Sequence, residues 1–387
     1  MRTRIAAAFV AAAGLMAAPA AAQELKVGLM LTLSGPPAVL GEHARDGFQL
    51  AIKELGGKLG GLDAEVIVVD DELKPDVAVD RVKALIERDE IDIFVGVIFS
   101  NVMMAVYKPL IDAEIITISP NAGPSPIAGA QCSRFFFSMS WQNDQNHEVM
   151  GQYAQDQGFG RVIVMAPNYQ AGKDSIAGFK RYFKGEIADE VYTQLGQLDF
   201  SAELARIASA KPDAVFTFMP GGMGVNLVKQ FRQAGLADSI PFLSAFTVDE
   251  TTLPATKGDA VGLLAGANWA PDLDAPGNAE FVAAFEAEYG YVPSLYAAQG
   301  YDAARLIDAG VTAAGGADNT DALIEALAKA DFQSVRGDFS FNSNHMPIQD
   351  FYLVEAAERG DGKFATSVKA TIFEDHGDAY ADQCSMN

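Results

Sequence analysis

Side chains that could bind or transform a small molecule occur in short polar and aromatic segments, each of which follows a predicted strand. They are Ser34, Gly35, Phe99, Ser100, Asn121, Ala122, Gly123, Asn168, Tyr169, Gly221, Gly222, Asn226 and Phe246. In open parallel sheets, ligands bind beyond the carboxyl ends of the strands, where helix N-termini supply free N–H groups. Because these segments carry hydroxyl, amide and aromatic groups but almost no charge, they predict a polar and aromatic small-molecule cleft. Any one of these residues could instead cap a helix or fill a turn.

The sequence lacks the residue patterns of an enzyme or a metal site. Its four histidines, His43, His147, His345 and His376, are scattered and match no metal-ligand spacing. We interpret His43 as a solvent-facing helix residue. The segment Pro220–Gly224 opens a helix after a strand, but it has neither the spacing nor the lysine of a phosphate-binding loop. We therefore expect a binding protein without catalytic residues, metal or cofactor; a secreted enzyme would need a nucleophile, base or metal set in the cleft.

Short apolar runs alternate with amphipathic helical segments along most of the chain. The first series runs from a predicted strand at Leu25–Leu31 to one at Ile115–Ser119, and the alternation restarts at a predicted helix, Asp144–Gln157. Such alternation is typical of βαβ units on a parallel sheet. Two series therefore predict an α/β fold of two doubly wound parallel-sheet lobes.

The later segments indicate how the two lobes are connected. We expect the chain to cross between the lobes near Ser140, near Asn268 and near Asn344, which makes a three-crossover hinge. The last segments are strand-like, with Arg359–Gly362 as a hairpin turn. These crossings divide the sequence into an N-terminal lobe of residues 23–139 and 270–343 and a C-terminal lobe of residues 140–269 and 344–387.

The first 22 residues have the pattern of a secretory signal peptide. Arg2 and Arg4 precede an apolar run from Ile5 to Ala18, and an A-x-A cleavage pattern ends at Ala22. The apolar run is shorter than the roughly 20 residues that a membrane-spanning helix needs. We therefore predict removal of residues 1–22 and a soluble periplasmic protein that is not inserted in the membrane.

Charge and cysteine content narrow the partners and the compartment. The chain carries 51 acidic and 28 basic residues, a net charge of −23, so it repels nucleic acid and anionic membrane surfaces. Only two cysteines are present, Cys132 and Cys384, and neither lies beside a second metal-ligating residue. In an oxidising compartment we expect these two cysteines to form a disulfide.

The order and spacing of several short segments carry a further signal. These segments are Leu33–Pro36, Asp46–Ala51, Gly96–Ser100, Ile118–Pro120, Tyr169–Gly172, Gly221–Gly222 and Arg232–Leu236. Together they resemble periplasmic solute-binding proteins of the Leu/Ile/Val-binding protein family, and the resemblance extends over essentially the whole chain after residue 22. It implies two α/β lobes with three crossovers, a ligand trapped by hinge closure, and delivery to the membrane permease of an ABC transporter.

The resemblance also implies where a ligand carboxylate would bind. In amino-acid-binding members, a serine at the position of Ser100, a hydroxyl residue at the position of Gly123 and the backbone at Asn121 hold the carboxylate. This chain keeps the serine but has glycine at position 123. It has Asn226 where those proteins place a carboxylate against the ligand ammonium, and a neutral amide cannot balance a buried ammonium. The resemblance therefore implies a carboxylate site without an ammonium site.

Aromatic residues in the same segments could form walls for a flat ligand. Phe99, Tyr169, Phe246 and Trp269 are the candidates, because aromatic rings stack favourably on one another; alternatively, they only pack the cores of the lobes. The family has members that look like this and take up aromatic acids such as hydroxybenzoates and phenylpropenoids.

We therefore predict a solute-binding protein for a small organic acid without an amino group, most simply an aromatic carboxylate. The predicted ligand-binding residues are Ser34, Phe99, Ser100, Asn121, Ala122, Gly123, Tyr169, Gly222, Asn226 and Phe246. Ser100 and the backbone at Asn121 and Gly123 would hold the carboxylate, with Phe99 and Phe246 on either side of the ring.

Two alternatives of the same fold stay open. One is a binder of branched-chain or other amino acids whose ammonium partner is Asp249 or Asp302. The other is a subunit that binds the same ligand but docks on a receptor. In each case we expect a monomer.

Overall fold

The computed structural model describes residues 24–386, so the predicted signal peptide at 1–22 lies outside the described residues. The strands are β1 Glu24–Leu31, β2 Lys58–Leu59, β3 Leu62–Asp70, β4 Ile93–Gly96, β5 Ile116–Ser119, β6 Phe136–Ser138, β7 Arg161–Pro167, β8 Glu186–Thr193, β9 Ala214–Thr217, β10 Phe242–Ser244, β11 Leu264–Ala267, β12 Ser340–Phe341, β13 Pro347–Glu358 and β14 Phe364–His376. The α-helices are α1 Ala38–Glu54, α2 Pro75–Glu87, α3 Ser100–Asp112, α4 Ser125–Ala128, α5 Gln145–Asp156, α6 Gln170–Tyr182, α7 Ser201–Ala210, α8 Gly222–Gln233, α9 Leu253–Thr256, α10 Asn278–Tyr289, α11 Leu295–Ala314 and α12 Thr320–Ala328.

The first lobe is built on a six-stranded sheet in the order β2-β3-β1-β4-β5-β6. Strand β1 lies between β3 and β4 and is parallel to both, and its residues from Val27 to Leu31 are buried except where the strand starts. A near-continuous apolar run of this kind is typical of a parallel strand covered on both faces. The short hairpin strand β2 is the antiparallel exception at the sheet edge.

The second lobe is built on an eight-stranded sheet in which β12-β13-β11-β10-β9-β7-β8 are consecutive and β14 pairs with β13. Strands β7 to β11 are parallel, whereas β13 and β14 add an antiparallel hairpin. Its turn is closed by a hydrogen bond from the N–H of Gly362 to the carbonyl of Arg359 (3.0 Å), at the position that the sequence indicates. The predicted α/β architecture of two parallel-sheet lobes is confirmed.

Helix α11 returns the chain to the first lobe by packing closely on α1. A Cβ atom added at Gly47 would lie 2.0 Å from the carbonyl oxygen of Ala297, and one added at Gly300 would lie 2.0 Å from that of Ala44. Only glycine allows the two helix backbones to approach this closely. This contact makes part of the later chain a layer of the first lobe.

The disulfide between Cys132 and Cys384 is present, as the sequence predicts. Cys132 lies between α4 and β6 of the first lobe, whereas Cys384 follows β14 of the second sheet. The last residues therefore run back to the first lobe, a further crossing that the sequence does not reveal. The predicted lobe boundaries themselves stay a prediction.

The sequence misses three short strands, β2, β6 and β11. Strand β11 reads Leu-Ala-Gly-Ala and lacks the branched or aromatic residues that signal a strand, and β2 and β6 are only two and three residues long. Pairing with neighbouring strands decides these segments. None of the helices within residues 24–386 is long and apolar enough to cross a membrane.

Candidate ligand-binding site

A small cavity lies where the strand-end loops of the two lobes meet. It encloses about 360 Å³, at the small end of the range of about 300–1,000 Å³ typical of small-molecule sites. Its lining residues are Leu40, Ile98, Phe99, Ser100, Asn121, Trp141, Asn143, His147, Tyr169, Ala171, Phe218, Pro220, Phe246 and Tyr296. Both lobes contribute, so the protein is closed around this space.

Aromatic rings make up much of the cavity wall. Phe99 contacts Tyr169 with ring centroids 6.2 Å apart, and Tyr169 stacks on Phe218 at the same distance. Phe246 meets Trp141 at 4.6 Å and Phe218 at 5.7 Å. Aromatic walls of this kind bind flat rings, because offset-stacked and edge-to-face contacts are favourable.

The N-terminus of helix α3 supplies hydrogen-bond donors at one end of the cavity. After β4, Phe99 is extended and Ser100 is the first helical residue. The N–H groups of Ser100 and Asn101 have no acceptor among the described residues, whereas those of Val102 and Met103 bond the carbonyl of Phe99. Unpaired N–H groups and the partial positive charge of a helix N-terminus attract an anion such as a carboxylate.

Asn121 adds to this donor end. It follows β5, its side-chain amide donates to the carbonyl of Ile98 (2.5 Å), and its Oδ1 is buried without a partner. Its backbone N–H likewise has no acceptor within the described part of the chain. The ends of β4 and β5 thus bring Ser100 and Asn121 to the same cavity.

Asn143 links this donor end to the second lobe. Its Nδ2 donates to Ser100 Oγ (3.1 Å) and to Asp174 Oδ2 (2.8 Å), and its Oδ1 accepts from the N–H of Gly123 (3.1 Å). Asp174, on α6, also accepts from the hydroxyl of Ser125 on α4 (2.7 Å). These bonds cross between the lobes and stabilise the closed arrangement beside the cavity.

No Asp, Glu, Lys or Arg is among the residues that line the cavity. Its one titratable nitrogen group is His147, and burial lowers the pKa of that imidazole to about 3, so the ring is neutral. Burial raises the pKa of Tyr169 and of Tyr296, so both hydroxyls keep their protons. The cavity can therefore bind an anion only through uncharged donors, and it offers no carboxylate to an ammonium.

Phe246 has a backbone conformation that aromatic residues rarely adopt. Its φ is +57°, in the left-handed region, directly after β10. Such strain persists only where the surroundings enforce it and is found most often at functional sites. Here it directs the ring of Phe246 against Trp141 and His147.

Five of the predicted ligand-binding residues line the cavity. They are Phe99, Ser100, Asn121, Tyr169 and Phe246. Each follows a strand end, which is the principle from which it was predicted. Phe99 and Phe246 lie on the wall without contacting each other through their rings in the described residues, so the space between them is the cavity itself.

The other five predicted residues, Ser34, Ala122, Gly123, Gly222 and Asn226, do not line it. Ser34 is exposed, and the N–H groups of Ala122 and Gly123 already donate to Val97 O and Asn143 Oδ1. Asn226 is half-buried on α8 and donates to the carbonyl of Gly222 (2.8 Å). Their roles in binding stay predictions.

Glycine at position 123 has a structural reason. A Cβ atom there would lie 2.0 Å from the carbonyl oxygen of Trp141. The hydroxyl residue that amino-acid binders carry at this position would not fit this backbone, and the neighbouring Asn143 amide occupies its place near Ser100.

Two further expectations about single residues differ from the structure. Trp269 does not line the cavity; it is buried against Phe281 and donates to Asn278 (2.8 Å). His43 is not solvent-facing but buried, with its ring 4.5 Å from that of Tyr291, because α1 is covered by α10 and the loop after it.

Sequence reasoning missed the cavity residues Trp141, Asn143, His147, Phe218 and Tyr296. Trp141 and Asn143 lie in the crossing between the lobes, and His147 and Tyr296 lie within helices, where the strand-end principle gives no signal. Phe218 directly follows β9 and could have been found. The polar run 142–148 is fully buried, which is unusual for such residues and marks a functional or hinge segment.

Neither alternative ammonium partner is available in the cavity. Asp302 is fully buried in a salt bridge to Arg336 (2.9 Å) and also accepts from the hydroxyl of Ser334. Asp249 accepts from the N–H of Thr251 (2.8 Å) and does not line the cavity. Residues 24–386 also contain no group of three side chains that could hold a metal ion.

Comparison with known proteins decides the family. The sequence profile of the periplasmic binding protein family matches residues 24–362. The chain belongs to this family. Among curated proteins, it is 28% identical to Leu/Ile/Val-binding protein homolog 6 of Brucella melitensis, over 97% of this chain and 98% of that protein.

Solved structures of the same family extend the comparison. An ABC transporter solute-binding protein from R. palustris in complex with benzoate is 35% identical, with a TM-score of 0.88 over 94% of this chain and 99% of that chain. One from Rhodopseudomonas palustris BisB5 in complex with 3,4-dihydroxybenzoic acid is 29% identical, with a TM-score of 0.87 over 92% and 99% of the two chains. A leucine-binding protein from Thermotoga maritima, 20% identical with a TM-score of 0.79, covers 90% of this chain and 98% of its own, and shares the fold.

Proposed function

We propose that this periplasmic binding protein is the solute-binding component of an ABC importer and captures an aromatic carboxylate of the benzoate or hydroxycinnamate type. The observation that carries the proposal is a closed cavity with aromatic walls, uncharged polar groups and a helix N-terminus at one end. The benzoate and 3,4-dihydroxybenzoic acid complexes of its relatives support the same ligand class.

In this proposal the carboxylate contacts the N–H groups of Ser100 and Asn101 and the hydroxyl of Ser100. The N–H of Asn121 is a further donor. Charge-assisted hydrogen bonds of this kind are stronger than those between neutral groups. The rings of Phe99, Tyr169 and Phe246 enclose the aromatic part of the ligand.

Closure of the two lobes around the ligand would be the recognition event. Both lobes line the cavity, and Asn143 and Asp174 join them beside it. A ligand that contacts both lobes favours the closed form over the open one, which a permease can then distinguish. The protein would act as a periplasmic monomer after removal of residues 1–22.

The test is ligand binding to protein that has been unfolded and refolded to remove any carried-over ligand. Benzoate, hydroxybenzoates and hydroxycinnamates are compared with leucine, isoleucine and aliphatic acids by thermal shift and calorimetry. A ligand present at a thousand times its Kd adds about 4 kcal/mol to stability. We expect a response to aromatic acids; a response confined to leucine or isoleucine would contradict the proposal and favour the amino-acid alternative.

A further inference from the structure

His147 is a buried side chain on the cavity wall whose hydrogen-bonding capacity is unused. It is 1% exposed, its Nδ1 has no partner, and no hydrogen bond to either ring nitrogen occurs within the described residues. Buried polar groups are nearly always satisfied, because an unmade hydrogen bond in the interior is costly. The missing partner therefore belongs to something that the cavity holds.

The surroundings of His147 leave the cavity as the only source of such a partner. Its ring meets the rings of Phe216, Phe218 and Phe246 with centroids 5.8, 5.0 and 5.4 Å away, all at steep angles. These rings offer no hydrogen-bonding atom. Because the imidazole is neutral, one ring nitrogen can donate and the other can accept.

His147 lies away from the carboxylate end of the cavity. A series of ring contacts leads from Phe99, beside Ser100, to Tyr169, then to Phe218 and then to His147. A ligand whose carboxylate contacts the start of α3 therefore extends its ring along these aromatics and presents its far edge to the imidazole. Benzoate has only C–H groups at that edge.

We propose that His147 hydrogen-bonds a hydroxyl group on the ligand ring, so that this protein prefers hydroxylated aromatic acids to benzoate. The inference rests on the proposed function and adds a specificity-determining residue to it. A site built to hydrogen-bond a hydroxyl discriminates strongly against the analogue that lacks it, because its own polar group is then left unpaired. We expect a preference of tenfold or more.

The experiment measures the Kd of benzoate, 2-, 3- and 4-hydroxybenzoate and 3,4-dihydroxybenzoate by calorimetry for the wild type and the variants His147→Phe and His147→Gln. The readout is the ratio of the benzoate Kd to that of the best hydroxylated ligand. This ratio is internal to each variant, so a general loss of affinity cancels. We expect His147→Phe to lower the ratio at least tenfold while benzoate changes less than threefold, and glutamine to restore part of it.

His43→Phe is the matched control. His43 is a second buried histidine with an unpartnered Nδ1 and a pKa lowered to about 3, but it lies outside the cavity. We expect its ratio to equal that of the wild type. Equal wild-type affinity for benzoate and all hydroxylated ligands, or an unchanged ratio in both His147 variants, would overturn the inference while aromatic binding stands. Absence of binding to every aromatic acid would overturn the proposed function as well.

Discussion

Two spaces lie between the lobes, and they differ in both size and charge. The cavity described above encloses about 360 Å³ and has no charged side chain on its wall. A second space, here called the outer groove, encloses about 1150 Å³. Its lining residues are Val39, Glu42, His43, Arg45, Asp46, Glu250, Thr251, Pro254, Lys257, Gly290, Tyr291, Val292, Gly362, Lys363 and Phe364.

The difference teaches that volume alone does not identify the binding site. Charged groups of both signs can line the outer groove, because most of them stay in contact with water. A closed cavity cannot hold an unpaired charge in this way, since removing it from water costs several kcal/mol. The small cavity instead uses helix N–H groups and hydroxyls, which suit an anionic ligand and need no counter-charge when the ligand leaves. The following predictions test this contrast, from the largest expected effect to the smallest.

Ser100→Asp tests the donor end of the cavity. A fixed carboxylate at this position would occupy the N–H groups of α3 and repel the ligand carboxylate, so we expect affinity for aromatic acids to fall at least 100-fold, about 2.7 kcal/mol. Folding should be preserved, because an acidic residue stabilises a helix N-terminus. Calorimetry gives the Kd, and Ser201→Asp, at the exposed start of α7, is the control. Binding within threefold of the wild type would mean that the carboxylate lies elsewhere.

Glu250, on the wall of the outer groove, tests how a buried acid behaves there. Burial raises its pKa to about 7, while hydrogen bonds from the N–H and hydroxyl of Thr366 act in the opposite direction. The unfolded chain loses this proton near pH 4.3, so the native state binds more protons between about pH 4.3 and 7. Stability should therefore fall as pH rises through this window and level off above it, by about 1–3 kcal/mol.

Denaturant unfolding at pH 5 and pH 8 measures this dependence in the wild type and in Glu250→Gln. The pKa values of Asp144, Asp174 and Asp249 are also raised by burial, so the wild-type slope has several contributions, and the difference between the two proteins is the readout. Glutamine stays neutral and can still accept from Thr366. Identical slopes for the two proteins would refute the assignment.

Asn226→Asp compares the position implied by family resemblance with the position in the fold. Resemblance places this residue against the ligand, where a carboxylate would weaken an acid strongly. In the structure its amide bonds the carbonyl of Gly222 outside the cavity wall, so we expect a change of less than threefold. A loss comparable to that of Ser100→Asp would mean that the ligand-bound protein brings α8 into the site.

Lys257→Glu reverses a charge on the outer groove and should have the smallest effect. This side chain is exposed and belongs to the groove, where water screens its charge. We expect the Kd of the aromatic acid to stay within twofold. A change of fivefold or more would show that the groove takes part in ligand capture.

The strand-end principle explains which parts of the site the sequence predicts. Phe99, Ser100, Asn121, Tyr169 and Phe246 each follow a parallel strand, and the fold brings these strand ends to one place. The same principle also selected Ser34 and Gly222, which follow other elements but are directed elsewhere. Proximity to a strand end is a property of the chain, whereas direction depends on how the loop packs.

The residues that sequence reasoning missed are those contributed by the crossing between the lobes and by helix interiors. Trp141, Asn143 and His147 come from one segment that turns from the first sheet towards the second. Nothing in their spacing shows that this polar run is buried, because its partners, Ser100 and Asp174, lie 43 and 31 residues away from Asn143.

By itself, the sequence determined the α/β class, the two sheets, the disulfide and the uncharged, aromatic character of the site, because these follow from local periodicity, composition and strand ends. Only the tertiary structure decided which of the polar and aromatic residues face one another. It placed His147 among phenylalanines and Asn226 outside the cavity, and it returned Cys384 to the first lobe. The physical reason is that these relations depend on how two lobes close on each other, and contacts between residues far apart in the chain leave no periodic signal in the sequence.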